Sequence, residues 1–184
     1  PKDGAIKITL DLEQNETFNF NLRIPVWAMQ GNTLKINGES VSGLVPGEYY
    51  TMNREWKNGD TLELNLDIAV HYWVGEKNFA GKTSVYYGPI LLAYDTNYNF
   101  LPASGATLQT SDLENMKVVD GSEEGCWLFA ETKTINGIPV KLVDFASCGQ
   151  DKSNYETWLN INHTMDYIPY VQGGNPIWNN TPNM

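Results

Sequence analysis

The chain has 184 residues, with 22 acids against 12 bases, a formal charge of −10 and no Lys/Arg cluster; this argues against nucleic acid and anionic membrane as partners. It is long enough for a hydrophobic core without disulfide support, and it has no long apolar run and no leader segment, so it reads as a soluble piece of something longer, with no membrane insertion. Aromatic residues make up 12% of it, including six Trp and ten Tyr, a composition that suits β-structure and also stacking on sugar rings.

Ala5 to Leu12 places Ile6, Ile8, Leu10 and Leu12 on one face, and Phe18 to Ile24 does the same with Phe18, Phe20, Leu22 and Ile24. This period of two predicts two half-buried strands joined through the polar turn Gln14-Asn15-Glu16. Pro25 has no N–H to donate and ends the second ladder, which leaves Trp27 at a strand end or in a loop and partly exposed. Leu34 to Ile36 and Glu39 to Val41 flank Asn37-Gly38, a two-residue hairpin turn that sets Leu34 opposite Val41.

The stretch from Gly47 to Val70 is the most informative. Tyr50, Met52, Arg54 and Trp56 alternate with polar residues, and so do Leu62, Leu64, Leu66 and Ile68. Asn58-Gly59 between them looks like a hairpin turn, but a two-residue loop would pair Trp56 with Thr61 and put the two apolar faces on opposite sides of one sheet. Either one extra loop residue pairs Trp56 with Leu62, or the chain arches from one sheet to a facing one. In both cases Trp56 and Met52 belong to the core, and Arg54 to a sheet rim.

His71 to Val74 reads as a further strand, followed by a polar loop. Thr83 to Tyr94 is apolar almost throughout and reads as one central strand, interrupted at Gly88-Pro89 by a bulge or bend. Regularity fades from Asp95 to Gly125, where Ser111-x-x-Glu114 is a capping box that can start one short helix through Lys117. Strands resume at Trp127 to Lys133, Pro139 to Ala146 and Glu156 to Ile161. About ten strands with one short helix make an all-β fold, a β-sandwich of jelly-roll or Greek-key type over residues 1–165. Residues 166–184 form an extended or partly disordered tail.

Catalytic motifs are absent. His71 and His163 sit in no recognisable pattern, and there is no G-x-S-x-G and no P-loop. Asp95-Thr96-Asn97-Tyr98-Asn99 begins like a calcium loop, but Phe100 stands where Gly is needed and Ala106 where Glu is needed, so it reads as a solvated Asn-rich loop. Cys126 and Cys148, 22 residues apart, lack the spacing of a zinc site and are either one disulfide or two buried thiols. No metal or cofactor is expected. A pair of carboxylates for glycoside hydrolysis cannot be read from a linear sequence, because its signature is a separation in space. Among the aromatics that could offer flat faces to sugars, Trp27, Tyr72 and Trp73 are the candidate ligand-binding residues, with Tyr98, Phe100, Tyr167 and Tyr170 behind them.

The ordered set Leu22-Arg23-Ile24-Pro25-Val26-Trp27-Ala28, Ile36-Asn37-Gly38-Glu39, Gly47-Glu48-Tyr49-Tyr50, Arg54-Glu55-Trp56, Asn58-Gly59-Asp60 and Tyr87-Gly88-Pro89-Ile90-Leu91-Leu92-Ala93 resembles the β-sandwich region that follows the catalytic barrel in bacterial β-L-arabinofuranosidase-type glycoside hydrolases of family 127. The resemblance implies a module of a secreted or periplasmic sugar-cleaving enzyme whose partner is an (α/α)6 barrel in the same parent chain. In that family the nucleophilic cysteine, its zinc cluster and a glutamate belong to the barrel. Cys126 and Cys148 do not match that cluster, so the resemblance transfers no catalytic residue. It implies a non-catalytic accessory domain; the alternative is an independent carbohydrate-binding module that uses exposed aromatics.

Overall fold

A computed structural model describes residues 3–164; the expected tail, with Tyr167 and Tyr170, lies outside the described residues. The chain is all-β, and its one α-helix among those residues has five residues. It divides into two compact units, one running to Ala69 and one starting at Val70, a division that the sequence reading of residues 1–165 did not draw.

The first unit holds β1 (Ala5–Thr9), β2 (Glu16–Arg23), β3 (Thr33–Ile36), β4 (Glu39–Val41), β5 (Tyr49–Trp56) and β6 (Thr61–Asn65). One sheet has the order β1-β6-β3-β4, and the other is the pair β2-β5. Their apolar sides meet in a single core of Leu22, Met52 and Trp56 from the pair and Leu34, Leu62 and Leu64 from the four-stranded sheet. The chain therefore passes between the sheets four times, from β1 to β2, β2 to β3, β4 to β5 and β5 to β6. The last of these is one of the two solutions left by the parity of Trp56 and Leu62, both of which are fully buried. The Asn37-Gly38 turn forms as its sequence requires, with both residues at positive φ and Leu34 opposite Val41.

Trp56 fills the corner. Its ring packs on Phe18 and Phe20 at centroid distances of 5.9 and 5.7 Å, and its indole N–H donates to the Phe18 carbonyl at 3.1 Å. Arg54 lies over the same ring at 4.8 Å, so its charge reaches solvent while its stem covers the core rim. The turn that follows is built on buried Asp60. One carboxylate oxygen accepts the Lys57 N–H at 3.0 Å, and the other accepts the Asn37 amide at 2.9 Å. Arg54 stands 3.6 Å away. Asn37 in turn accepts the Thr61 N–H, and the Asn58 side chain accepts the Leu12 N–H, so the corner between sheets is tied to both neighbouring loops.

The second unit holds β7 (Val70–Val74), β8 (Thr83–Tyr87), β9 (Ile90–Asp95), β10 (Thr107–Gln109), α1 (Thr110–Glu114), β11 (Lys117–Asp120), β12 (Leu128–Lys133), β13 (Pro139–Asp144), β14 (Tyr155–Glu156) and β15 (Asn160–Asn162). The main sheet has the order β11-β12-β13-β9-β8-β7, with β14 also on β9. Its chief core covers Tyr72, Val85, Leu92, Tyr94, Leu128 and Leu142. That core is completed by Leu113 of α1 and by the parallel pair β10-β15, which contributes Leu108 and Ile161.

Two expectations are corrected here. Thr83 to Tyr94 is not one bulged strand. Gly88-Pro89 is the turn of an antiparallel hairpin that pairs Tyr87 with Ile90 and Val85 with Leu92; Gly88 takes a φ of +52°, the left-handed value required at the first position of a tight reverse turn. The capping box also fails to form. The helix starts two residues early, with Gln109 rather than Ser111 at its N-cap and no side-chain cap; it ends at Glu114, whose carboxylate accepts the Tyr72 hydroxyl at 3.0 Å.

The Asp60 corner makes a stability prediction. Hydrogen bonds from the Lys57 N–H and the Asn37 amide hold its carboxyl below the ordinary value of 3.8. A lowered folded-state pKa means that the contribution is complete above pH ~4 and is lost as the pH falls through the folded value. Asp60→Ala is expected to cost roughly 1–3 kcal/mol at neutral pH, read from urea unfolding followed by tryptophan fluorescence. The gap between variant and parent should narrow below pH ~4; an equal gap at pH 7 and pH 3 would contradict this account.

Candidate functional site

Among the described residues three carboxylates are buried, those of Asp60, Asp95 and Asp144, and a carboxylate can act on a ligand only where protein donors do not already occupy it. Asp95 accepts the Asn97 N–H at 2.9 Å on one oxygen, and the Gly149 N–H at 2.9 Å and the Ser153 hydroxyl at 2.8 Å on the other. Asn99 donates to the carbonyls of Asp95 and Lys141 and accepts the Lys141 N–H. The run that begins like a calcium loop is thus turned onto protein donors, whose N–H and O–H groups point at the carboxylate where a cation would need oxygen. Asp144 accepts the Trp127 N–H at 2.8 Å on one oxygen and the Ser147 N–H and hydroxyl on the other. Both carboxylates hold loops. Among the described residues, no group of three or more His, Cys, Asp or Glu side chains is placed to hold a metal.

Strand β7 separates two of the three aromatic candidates. Tyr72 is fully buried in the core of its unit. Burial comes first, and the Glu114 carboxylate second, in raising its hydroxyl above the usual tyrosine range. Its ring meets His163 edge-on at 6.2 Å, and His163 shares a hydrogen bond with Thr83 at 3.1 Å. Desolvation lowers the His163 pKa, so the imidazole is neutral near pH 7. Trp73 alternates to the opposite face of the strand and is half-buried. His71, on that same face, stacks on Tyr86 at 5.1 Å.

Trp27 lies in the turn after Pro25, half-buried, and packs on the core of the first unit. With Asp3, Ile6, Leu66 and Ile68 it lines a shallow groove. Trp27 and Trp73 belong to different units.

Cys126 and Cys148 are free thiols in a small cluster with Phe129 and Val143, on the sheet face opposite the main core. They form no disulfide, and of the two expected buried thiols Cys126 is buried while Cys148 is half-buried. The Tyr98 hydroxyl lies 3.1 Å from the Cys126 sulfur, and the Cys148 thiol donates to the Asp144 carbonyl at 3.6 Å.

Comparison with known proteins gives a family model, a curated relative and solved structures. Residues 1–68 match the model of the β-L-arabinofuranosidase GH127 middle domain. The non-reducing end β-L-arabinofuranosidase of Bifidobacterium longum subsp. longum is 31% identical over 130 residues, covering 66% of this chain and 18% of the relative. A solved GH127 β-arabinofuranosidase superposes with a TM-score of 0.74 at 20% identity, over 88% of this chain and 30% of that one. The GH127 β-L-arabinofuranosidase of Geobacillus stearothermophilus T6 gives 0.70 at 21% identity, over 88% and 29%. At these identities the two structures share the fold. The chain spans about a fifth of its curated relative and about 30% of the solved enzymes.

Neither thiol is primed for nucleophilic chemistry. Burial, followed by the charges of Asp95 and Asp144, pushes Cys148 up to about 12, and burial also raises Cys126; a reactive cysteine needs the opposite. In the folded protein, Ellman's reagent at pH 8 is expected to titrate well under one thiol per chain within minutes. Both should react once the protein is unfolded in guanidinium, and prompt labelling of either in the native state would contradict the assignment.

Proposed function

We propose that this chain, which carries a GH127-like region, is a non-catalytic β-sandwich part of a secreted or periplasmic bacterial glycoside hydrolase acting on arabinofuranoside-type glycans, and that it packs against and supports a catalytic barrel of its parent chain. The match of residues 1–68 to a middle-domain model carries the reading, because a middle domain by definition has neighbours in its chain. The chemistry agrees with a supporting role: Asp60, Asp95 and Asp144 are engaged by loop donors, and both thiols are held protonated. The substrate class comes from the names of the relatives and is part of the proposal.

A second reading is glycan binding through aromatic side chains. Trp27 and Trp73 would serve it with the part of each ring that remains exposed, the rest being packed against protein. Tyr72 contributes no surface.

The purified chain, incubated with p-nitrophenyl β-L-arabinofuranoside, is expected to release no nitrophenol above the buffer blank. Turnover that disappears on substitution of a single Asp, Glu or Cys would overturn the supporting role and make the chain an enzyme in its own right.

A further inference from the structure

The second unit displays aromatic surface that neither the fold nor the proposed support role uses. Trp127, Phe145 and Tyr155 are 43%, 45% and 46% exposed. Strand register places Tyr155: Phe129 pairs with Val143, Val143 with Ala93, and Asp95 with Tyr155, so these positions share one sheet face. Trp127 immediately precedes β12, and Phe145 opens the turn that follows β13.

Both buried aspartates of the unit brace this surface. Asp144 binds the Trp127 backbone on one oxygen and caps the turn that begins at Phe145 on the other. Asp95, paired with Tyr155, captures Gly149 and Ser153 from the segment between Phe145 and Tyr155. The Tyr155 ring is seated on Gly149, where an added Cβ would come within 3.0 Å of a ring carbon, and it meets Phe145 at 5.9 Å, tilted by 69°. The Tyr155 and Phe145 rings are exposed and yet held by these contacts, the condition under which an aromatic surface binds without a large ordering cost.

Beside Tyr155 opens a groove of about 370 Å3, lined also by Tyr94, Thr96, Asn154, Glu156 and Pro102, within the range of about 300–1,000 Å3 typical of small-ligand sites. The Thr96 N–H donates to the Asn154 carbonyl at 3.0 Å, and the Thr96 hydroxyl accepts the Asn154 N–H at 3.2 Å, which leaves its own O–H to donate. Its side chains thus offer an amide, a hydroxyl and a carboxylate next to a flat ring. That combination suits a molecule with one apolar face and a rim of hydroxyls. A buried protein interface is instead depleted of charge at its core, whereas Glu156 is exposed at the groove. The acidic chain argues against an anionic ligand.

We propose that Tyr155, with Phe145 packed against it, forms a binding platform for a neutral sugar residue of a glycan chain, with Asn154 and Glu156 of the adjoining groove bonding the sugar hydroxyls. This platform is separate from Trp27 and Trp73 and does not depend on whether the chain supports a barrel. The test is affinity electrophoresis of the full chain through gels containing arabinan, arabinoxylan or mixed-linkage β-glucan. At least one polysaccharide should retard it, with Trp fluorescence shifting on addition of the same polymer in solution. Tyr155→Ala should weaken that retardation about tenfold or more, and Tyr155→Phe should preserve most of it. Asn154→Ala, at an exposed loop position that leaves the ring packing intact, should weaken it without changing circular dichroism. Tyr49→Ala, an exposed ring of the first unit with no assigned role, should leave it unchanged. The proposal fails if none of the three polymers retards the chain, or if Tyr155→Ala and Asn154→Ala, both folded, bind as the parent does. It fails equally if Tyr155→Ala converts a self-associated parent to a monomer in size-exclusion chromatography, which would make the surface a protein contact. None of these outcomes bears on hydrolysis of the nitrophenyl substrate, so the two proposals stand or fall apart.

Discussion

A sandwich made by arching the chain between sheets has to fix its corners, because an arch has no ladder of its own to hold it. In the first unit that constraint is met by the Asp60 carboxylate, which gathers donors from its own turn and from the Asn37 hairpin directly beside the largest buried ring, Trp56. The aromatic corner supplies apolar burial and the carboxylate supplies direction. Without the second, the apolar face of β6 could slide by one residue and lose its inward aspect. The second unit repeats the device at Asp95 and Asp144, each joining a strand end to an irregular segment.

That economy bears on function. A carboxylate that organises a loop is desolvated and saturated with donors, and it cannot also be the exchangeable proton carrier that glycoside hydrolysis demands. The thiols are withheld in another way, by placement among Phe129 and Val143 and near acidic groups that disfavour thiolate. Asp60, Asp95, Asp144 and the two thiols thus serve architecture.

Much of the first unit could be read from its residues. Alternation around Trp56 and Leu62 excluded the simple hairpin, and the Asn37-Gly38 turn fixed its own register, because both are local rules of parity and backbone conformation. The second unit was less legible. Gly88-Pro89 lies in a run apolar on both sides, and nothing local distinguishes a bend in a buried strand from a turn between two buried strands. Strands β10, β11 and β14 have only two to four residues, too short for any period to show. Alternation separates Tyr72 from Trp73, but burial depends on which face the rest of the sheet covers. Tyr155 gave no signal at all, since it follows a polar loop and owes its fixed ring to Gly149, a neighbour set by tertiary structure.

The parallel pairing of β10 with β15 joins residues 107–109 to residues 160–162, and Leu159 bridges back to Thr83. During synthesis the hairpins of the main sheet can form as they emerge, but Leu108 and its neighbours in the core have no cover until residue 161 has left the ribosome. The core of the second unit is therefore closed only once β15 is made, through contacts distant in sequence that form slowly. Over that interval its apolar side stays open to water and to other chains.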